Sequence, residues 1–241
     1  MKKVIIPVGN QFITGTLFYP EIVKPKNPAI LFIPGWTSDE TGYKPRAQAL
    51  TKLGYICLTI SLRGHGESFG NLEEFSRADH LEDALAAYDF LALQKETDRN
   101  NISVVGASYG GYIGALLAGK RNIHRLAMRA PALYLNSDFD TNTSDLVLDE
   151  ERFFQNMKPE KDNFALIGTR AAKKVLLIES EHDQIIPHKV IEFYTRVIPD
   201  TSKLTHIVIK DADHQLSNPA WKQEFIDILV EWLREILDKP E

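Results

Sequence analysis

Ser108 stands at the centre of Gly106-Ala107-Ser108-Tyr109-Gly110, a run joining one apolar stretch at 102–105 to another at 111–118. The first stretch reads as a strand and the second as a helix. A serine between two glycines at a strand-to-helix corner occupies a turn so tight that its backbone is strained. That strain pushes the hydroxyl off the sheet edge, where a substrate carbonyl can reach it. Side chains two residues to either side would collide with the turn, so Gly106 and Gly110 fit those places. The chemistry such a serine performs is nucleophilic attack.

A serine hydroxyl is a poor nucleophile near neutral pH and needs a base beside it. Imidazole suits, because its pKa lies close to working pH and it can return the proton to a leaving group. The imidazole in turn needs a carboxylate to fix its tautomer and stabilise the imidazolium. Two loops that follow late strands qualify as sources: 179–187, after the apolar stretch 174–178, and 210–217, after 204–209. They offer Asp183 and His214. Glu179, Glu181, Asp211 and Asp213 compete with Asp183, which has the better loop placement.

Among the seven histidines, His182 adjoins the acid and is too constrained to bend back onto Ser108. His65 belongs to a glycine-rich loop, and His188 reads as a helix start. His80, His124 and His206 read as surface or packing residues. A metal cluster built from His182, Asp183, Asp211, Asp213 and His214 is a rival arrangement, but no H-x-x-x-H or cysteine-rich spacing accompanies it.

The elements that must position these groups alternate along the chain. Residues 4–8 and 12–18 form an antiparallel hairpin around Gly9-Asn10, and 20–28 is a proline-rich surface connection. The continuous apolar stretch 29–33 reads as a strand covered on both faces. A loop at 34–38, a helix at 44–53 stopped by Gly54, and a strand at 55–60 follow. Next come the glycine-rich loop 63–68 and an amphipathic helix over 80–93, with Asp79 as its cap and Glu82 three residues on. A strand at 125–129 precedes the long irregular segment 131–172. A strand at 174–178, a helix at 188–197, a strand at 204–209 and a helix at 221–237 complete the pattern. Alternation of this kind predicts an α/β fold with a mostly parallel sheet between helices.

The 241 residues suffice for one such domain with a modest insertion. A net charge of -5 is small for this size and argues against nucleic acid or an anionic membrane as a partner. The first eight residues start like a signal peptide, but the apolar run stops at Pro7 and polar Asn10-Gln11 follow, so they read as a strand. The single cysteine, Cys57, lies in an apolar strand and fits an inert thiol in a reducing cytoplasm.

Taken together, Gly106-Ala107-Ser108-Tyr109-Gly110-Gly111, Arg63-Gly64-His65-Gly66-Glu67-Ser68, Asp183 with Ile186-Pro187 behind it, and Asp213-His214 resemble the α/β-hydrolase superfamily. Within it the chain is similar to the serine carboxylesterases that include cinnamoyl and feruloyl esterases. The resemblance implies one α/β-hydrolase domain over residues 1–241, with a short cap at about 131–172. It makes Ser108 the nucleophile, His214 the general base and acid, and Asp183 the orienting carboxylate. The oxyanion hole is expected from the backbone N–H of Tyr109 and of Trp36, in a loop that reads Pro34-Gly35-Trp36 where family members often carry His-Gly-x.

The expected reaction is cleavage of small or medium carboxylic esters through an acyl-enzyme, with no cofactor and no metal. Thioesterase, amidase or peptidase activity and a non-catalytic ligand receptor are the alternatives. The expected assembly is a monomer or homodimer in the cytoplasm, taking a small-molecule ester and binding neither nucleic acid nor membrane. Phe153 and Phe154 are expected to line an acyl or aryl pocket beneath the cap. The acidic residues at 138–151 are expected to disfavour strongly anionic substrates.

Overall fold

A computed structural model describes residues 1–145, 150–157 and 162–234. Eight strands form one sheet: β1 (Lys2–Val8), β2 (Gln11–Phe18), β3 (Asn27–Ile33), β4 (Ile56–Ser61), β5 (Thr97–Ala107), β6 (Arg125–Arg129), β7 (Lys174–Ser180) and β8 (Leu204–Ile209). Their spatial order is β1-β2-β4-β3-β5-β6-β7-β8. The β1–β2 and β2–β4 pairs are antiparallel, and every pair from β4–β3 to β7–β8 is parallel. The mostly parallel sheet is the one expected from the alternation of elements, and the whole is the α/β-hydrolase architecture that the resemblance implies.

Both faces of the sheet are covered, which is why its central strands read as unbroken apolar runs. Leu31 and Ile33 of β3 pack into one core with α2 (Arg77–Ala92), α3 (Tyr109–Ala118), α5 (Phe164–Ala171) and α6 (His188–Arg196). Ile30 and Phe32 of the same strand face the other way, against α1 (Lys44–Thr51) and α7 (Pro219–Arg234).

Several boundaries differ from expectation: β5 begins five residues early, at Thr97, α1 ends at Thr51, and two further shifts have local reasons. Helix α2 begins three residues early: Ser76 is its cap, accepting the Asp79 N–H, while Asp79 accepts from the Ser76 N–H and hydroxyl. Asp79 is therefore the third-position partner of a capping box and not the cap itself. Strand β3 takes in Asn27 and Pro28, and the proline, which has no N–H to donate, coincides with a register shift against β5 between Asn27 and Ala29. Helix α7 starts at Pro219, and its expected end at residue 237 lies outside the described residues.

The segment 131–172 leaves β6 and returns to the neighbouring β7. It contains 3-10 turns at Asn136–Asp138 and Thr143–Asp145, then α4 (Glu150–Asn156) and α5. Helix α5 lies directly on α3: a Cβ on Gly168 would sit 1.8 Å from the Ala115 carbonyl oxygen, so only glycine allows that approach. Of the acidic run, Asp149 lies outside the described residues.

Candidate active site

Ser108 follows β5 directly and has φ 52° and ψ -120°, a left-handed conformation that an L-residue adopts only under constraint. The constraint comes from its glycines. A Cβ on Gly106 would lie 2.2 Å from the Gly110 carbonyl oxygen, and one on Gly110 would lie 2.2 Å from that of Ile33. The turn is further pinned where Ser108 N–H donates to Arg129 O at 2.8 Å and Ala132 N–H donates to Ser108 O at 3.0 Å.

Three side chains from the ends of β5, β7 and β8 converge here. Ser108 Oγ is 3.2 Å from His214 Nε2, and His214 Nδ1 is 2.8 and 3.0 Å from the two Asp183 oxygens. Because a carboxylate only accepts, Nδ1 carries the proton and Nε2 is left as the acceptor facing Ser108. Asp183 is itself held: its Oδ1 accepts from the Ile185 and Ile186 amides at 2.9 and 2.8 Å. Burial opposes its ionisation, but the bonds from His214 and those two amides outweigh it and hold the carboxyl below its usual range. The side chains are almost enclosed, 6% exposed for Asp183 and 11% for His214.

The competing carboxylates are engaged elsewhere. Glu179 pairs with His188 and His206 at 2.5 and 3.1 Å. Glu181 accepts the Asp211 N–H, and Asp213 accepts the Ser217 N–H. Glu181, His182 and Asp211 do come together on the surface, exposed, in a group that includes neither Asp183 nor His214.

The two expected oxyanion donors flank the serine. Tyr109 is the first residue of α3, where an amide has no carbonyl one turn behind it to bond. Gly35 packs against the elbow closely enough that a Cβ there would be 3.3 Å from Ala107 O, which brings the turn bearing Trp36 beside Ser108. The Trp36 and Tyr109 rings meet edge to face at 4.9 Å.

Two residues that matter here have no sequence signature. His80, expected as a surface or packing residue, is fully buried, with Nδ1 2.7 Å from the Tyr109 hydroxyl and Nε2 3.0 Å from Arg63 O. Since a carbonyl can only accept, Nε2 carries the proton and Nδ1 accepts from Tyr109. Burial drives the His80 pKa down to about 3, so the ring is neutral. It holds Tyr109 against the loop 63–68, where Arg63 binds Asp83 through both its amide and its Nε. The other is Arg129, 8% exposed, whose Nη1 donates to the His214 carbonyl at 2.8 Å. Its own carbonyl holds Ser108, so one residue ties the loops of both.

Two cavities meet at Ser108. One, about 330 Å³, is lined by Trp36, Tyr109, Leu133, Tyr134, Phe153 and Phe154 among others. The other, about 300 Å³, is bordered by His214, Gln215, Arg46, Arg129 and Asp39 and shares Trp36, Ser108 and Ile185 with the first. At the mouth of the apolar cavity, Asp138 is paired with Arg152 at 2.9 Å.

A family model described as the prolyl oligopeptidase family matches residues 41–240. The chain belongs to the prolyl oligopeptidase family. This member is 25% identical to the mitochondrial palmitoyl-protein thioesterase ABHD10 of Bos taurus, over 90% of its own length and 75% of that protein's. It is also 25% identical to dipeptidyl aminopeptidase BIII of Pseudoxanthomonas mexicana, over 87% of this chain but only 33% of that one. Among solved structures it resembles Est1E from Butyrivibrio proteoclasticus with ferulic acid bound, with a TM-score of 0.77 and 18% identity over 98% of this chain and all (100%) of that one. The last likeness is one of fold. No helix among the described residues is long and apolar enough to cross a membrane.

Proposed function

We propose that this family member is a serine carboxylesterase acting on small to medium carboxylic esters. The observation that carries the reading is the unbroken chain from Ser108 Oγ through the His214 ring to Asp183. Ser108 attacks the ester carbonyl while His214 Nε2 takes its proton, and the imidazolium is held by Asp183. The carbonyl oxygen, now negative, accepts from the Trp36 and Tyr109 amides. As the tetrahedral intermediate collapses, the C–O bond to the alcohol breaks and Nε2 gives its proton to the departing oxygen. Water then repeats the sequence on the acyl-enzyme and releases the acid. These groups complete the route without a cofactor or metal.

The acyl group occupies the aromatic-lined cavity, whose 330 Å³ lies at the low end for small-molecule sites and suits a short acyl or aryl group. Phe153 and Phe154 help to line it, so the segment at about 131–172 that carries them serves as a short cap. Esters rank above amides because an alcohol leaves more readily than an amine. Placement in the cytoplasm belongs to the same reading; it is supported by Cys57, a free thiol that is fully buried, and is checked by cell fractionation.

The likeness to palmitoyl-protein thioesterases favours one second reading, hydrolysis of acyl thioesters on the same residues. A fluorophosphonate probe should label the wild type and not Ser108→Ala. Turnover of p-nitrophenyl esters and of acyl thioesters with the same acyl groups then ranks the two substrates. Folded protein that takes no Ser108-dependent label refutes both.

A further inference from the structure

The cavity on the His214 side of Ser108 has a different chemistry from the aromatic one and is where the alcohol half of an ester must lie. His214 Nε2 hands its proton to the leaving oxygen, so that oxygen and whatever it carries depart past His214. His214 borders the 300 Å³ cavity and is not part of the aromatic-lined wall.

Two guanidinium groups line this leaving side. Burial opposes the charge of Arg129, with Asp183 and Asp213 acting in its favour, and its Nη1 is committed to the His214 carbonyl. Arg46 is placed differently. Its guanidinium carbon lies 4.7 Å from the Phe225 ring centre and 5.4 Å from that of Tyr43, and Nη1 donates to the Gly42 carbonyl at 2.9 Å. Its Nε is buried with no hydrogen-bond partner among the described residues. Burial acts against its charge, and among the described residues no carboxylate offsets that. Asp39 borders the same cavity, but it lies against Gly66 and its Oδ1 is taken by the Thr41 amide and hydroxyl at 2.7 and 2.5 Å. Of the described residues in the acidic run at 138–151, Asp138 borders the aromatic cavity and none borders this one.

A guanidinium lying over an aromatic ring, partly stripped of water and with no carboxylate offsetting its burial among the described residues, is a binding group for an anion. We propose that the alcohol half of the natural ester carries a compact anionic group, such as a carboxylate, and that Arg46 is the residue that selects it. The inference rests on the esterase reading above and adds to it the charge and side of the leaving group.

The test compares butyrate esters of 3-hydroxybenzoate and 3-hydroxybenzamide, which share the acyl half and differ by one charge in the alcohol half. In the wild type the charged ester should have the higher kcat/KM. In Arg46→Gln the charged-to-neutral ratio should fall at least tenfold, and Arg46→Lys should recover part of it. Should Arg46→Gln not fold, Arg46→Met keeps an apolar stem against Phe225 and is expected to give the same ratio. A ratio that no substitution at Arg46 moves overturns the anion site and leaves the esterase reading intact. Wild-type protein that is folded yet cleaves neither ester, nor any p-nitrophenyl ester, overturns both.

Discussion

Replacing Asp183 with asparagine tests the proposed mechanism at its least visible member. Asp183 Oδ1 accepts two amide hydrogens, from Ile185 and Ile186, at 2.9 and 2.8 Å. In Asp183→Asn those two donors hold the amide oxygen in that place and turn the NH2 group toward His214 Nδ1. A ring nitrogen facing a donor must accept, so the imidazole proton moves to Nε2, where it points at Ser108 Oγ. The base then has no lone pair for the serine proton. Loss of the working tautomer is expected to cost about four orders of magnitude in kcat/KM, or about 5 kcal/mol of transition-state stabilisation. The fold should lose no more than about 1–3 kcal/mol, since one charge-assisted hydrogen bond is exchanged for a neutral one. Hydrolysis of p-nitrophenyl butyrate at pH 8 by protein whose unfolding curve has been recorded measures both. A loss of less than tenfold in folded protein would mean that Asp183 does not set the tautomer, and the reasoning from Oδ1 would be wrong.

Gly110→Ala puts a methyl group 2.2 Å from the Ile33 carbonyl oxygen and 2.4 Å from that of Pro34, both backbone. It should destabilise by about 3 kcal/mol or more and abolish acylation by separating the elbow from the Trp36 turn; a near-normal melting curve would contradict this. His80 has its folded pKa depressed to about 3 from an ordinary 6.5, so between those values the unfolded chain binds more protons. Its contribution is therefore complete above about pH 6.5 and shrinks as pH falls toward 3, by up to about 1.4 kcal/mol per unit. Urea unfolding from pH 7 to 4.5 should show a shallower decline in His80→Gln than in the wild type, and equal slopes would refute the assignment. Phe154→Ala, with Phe153 and Phe193 as ring neighbours, opens the outer wall of the aromatic cavity. Its kcat/KM for butyrate esters should fall about tenfold, with longer acyl groups hurt less; an unchanged chain-length profile would take Phe154 out of the site.

Much of this was readable before any coordinates. Gly106, Ser108 and Gly110 carry a steric requirement that is local, so five consecutive residues suffice to announce the turn. The apolar strands 29–33 and 174–178 are equally local signals, because burial on both faces leaves no polar alternation. The sequence does not single out Ser76, because Asp79 with Glu82 forms an equally acceptable capping pattern three residues later. The partner of His80 is Tyr109, 29 residues on, and that of Arg129 is a carbonyl 85 residues on. No spacing rule connects such pairs; only strand order brings them together. The same holds for Arg46, whose proposed role depends on no carboxylate among the described residues offsetting its burial.

The excursion 131–172 departs from β6 and rejoins the sheet at β7, its immediate neighbour, so the two strands pair from Arg125–Lys174 to Arg129–Ile178 whatever the chain does between. Ser108, Asp183 and His214 follow the ends of β5, β7 and β8, and Arg129, within β6, braces the first and the last of them. Most of the aromatic chamber, by contrast, is furnished by the detour. Under the proposed mechanism such a molecule separates its engine from its gauge: rewriting the detour would retune which acid is accepted while the attacking hydroxyl, its imidazole and their alignment stay as they are.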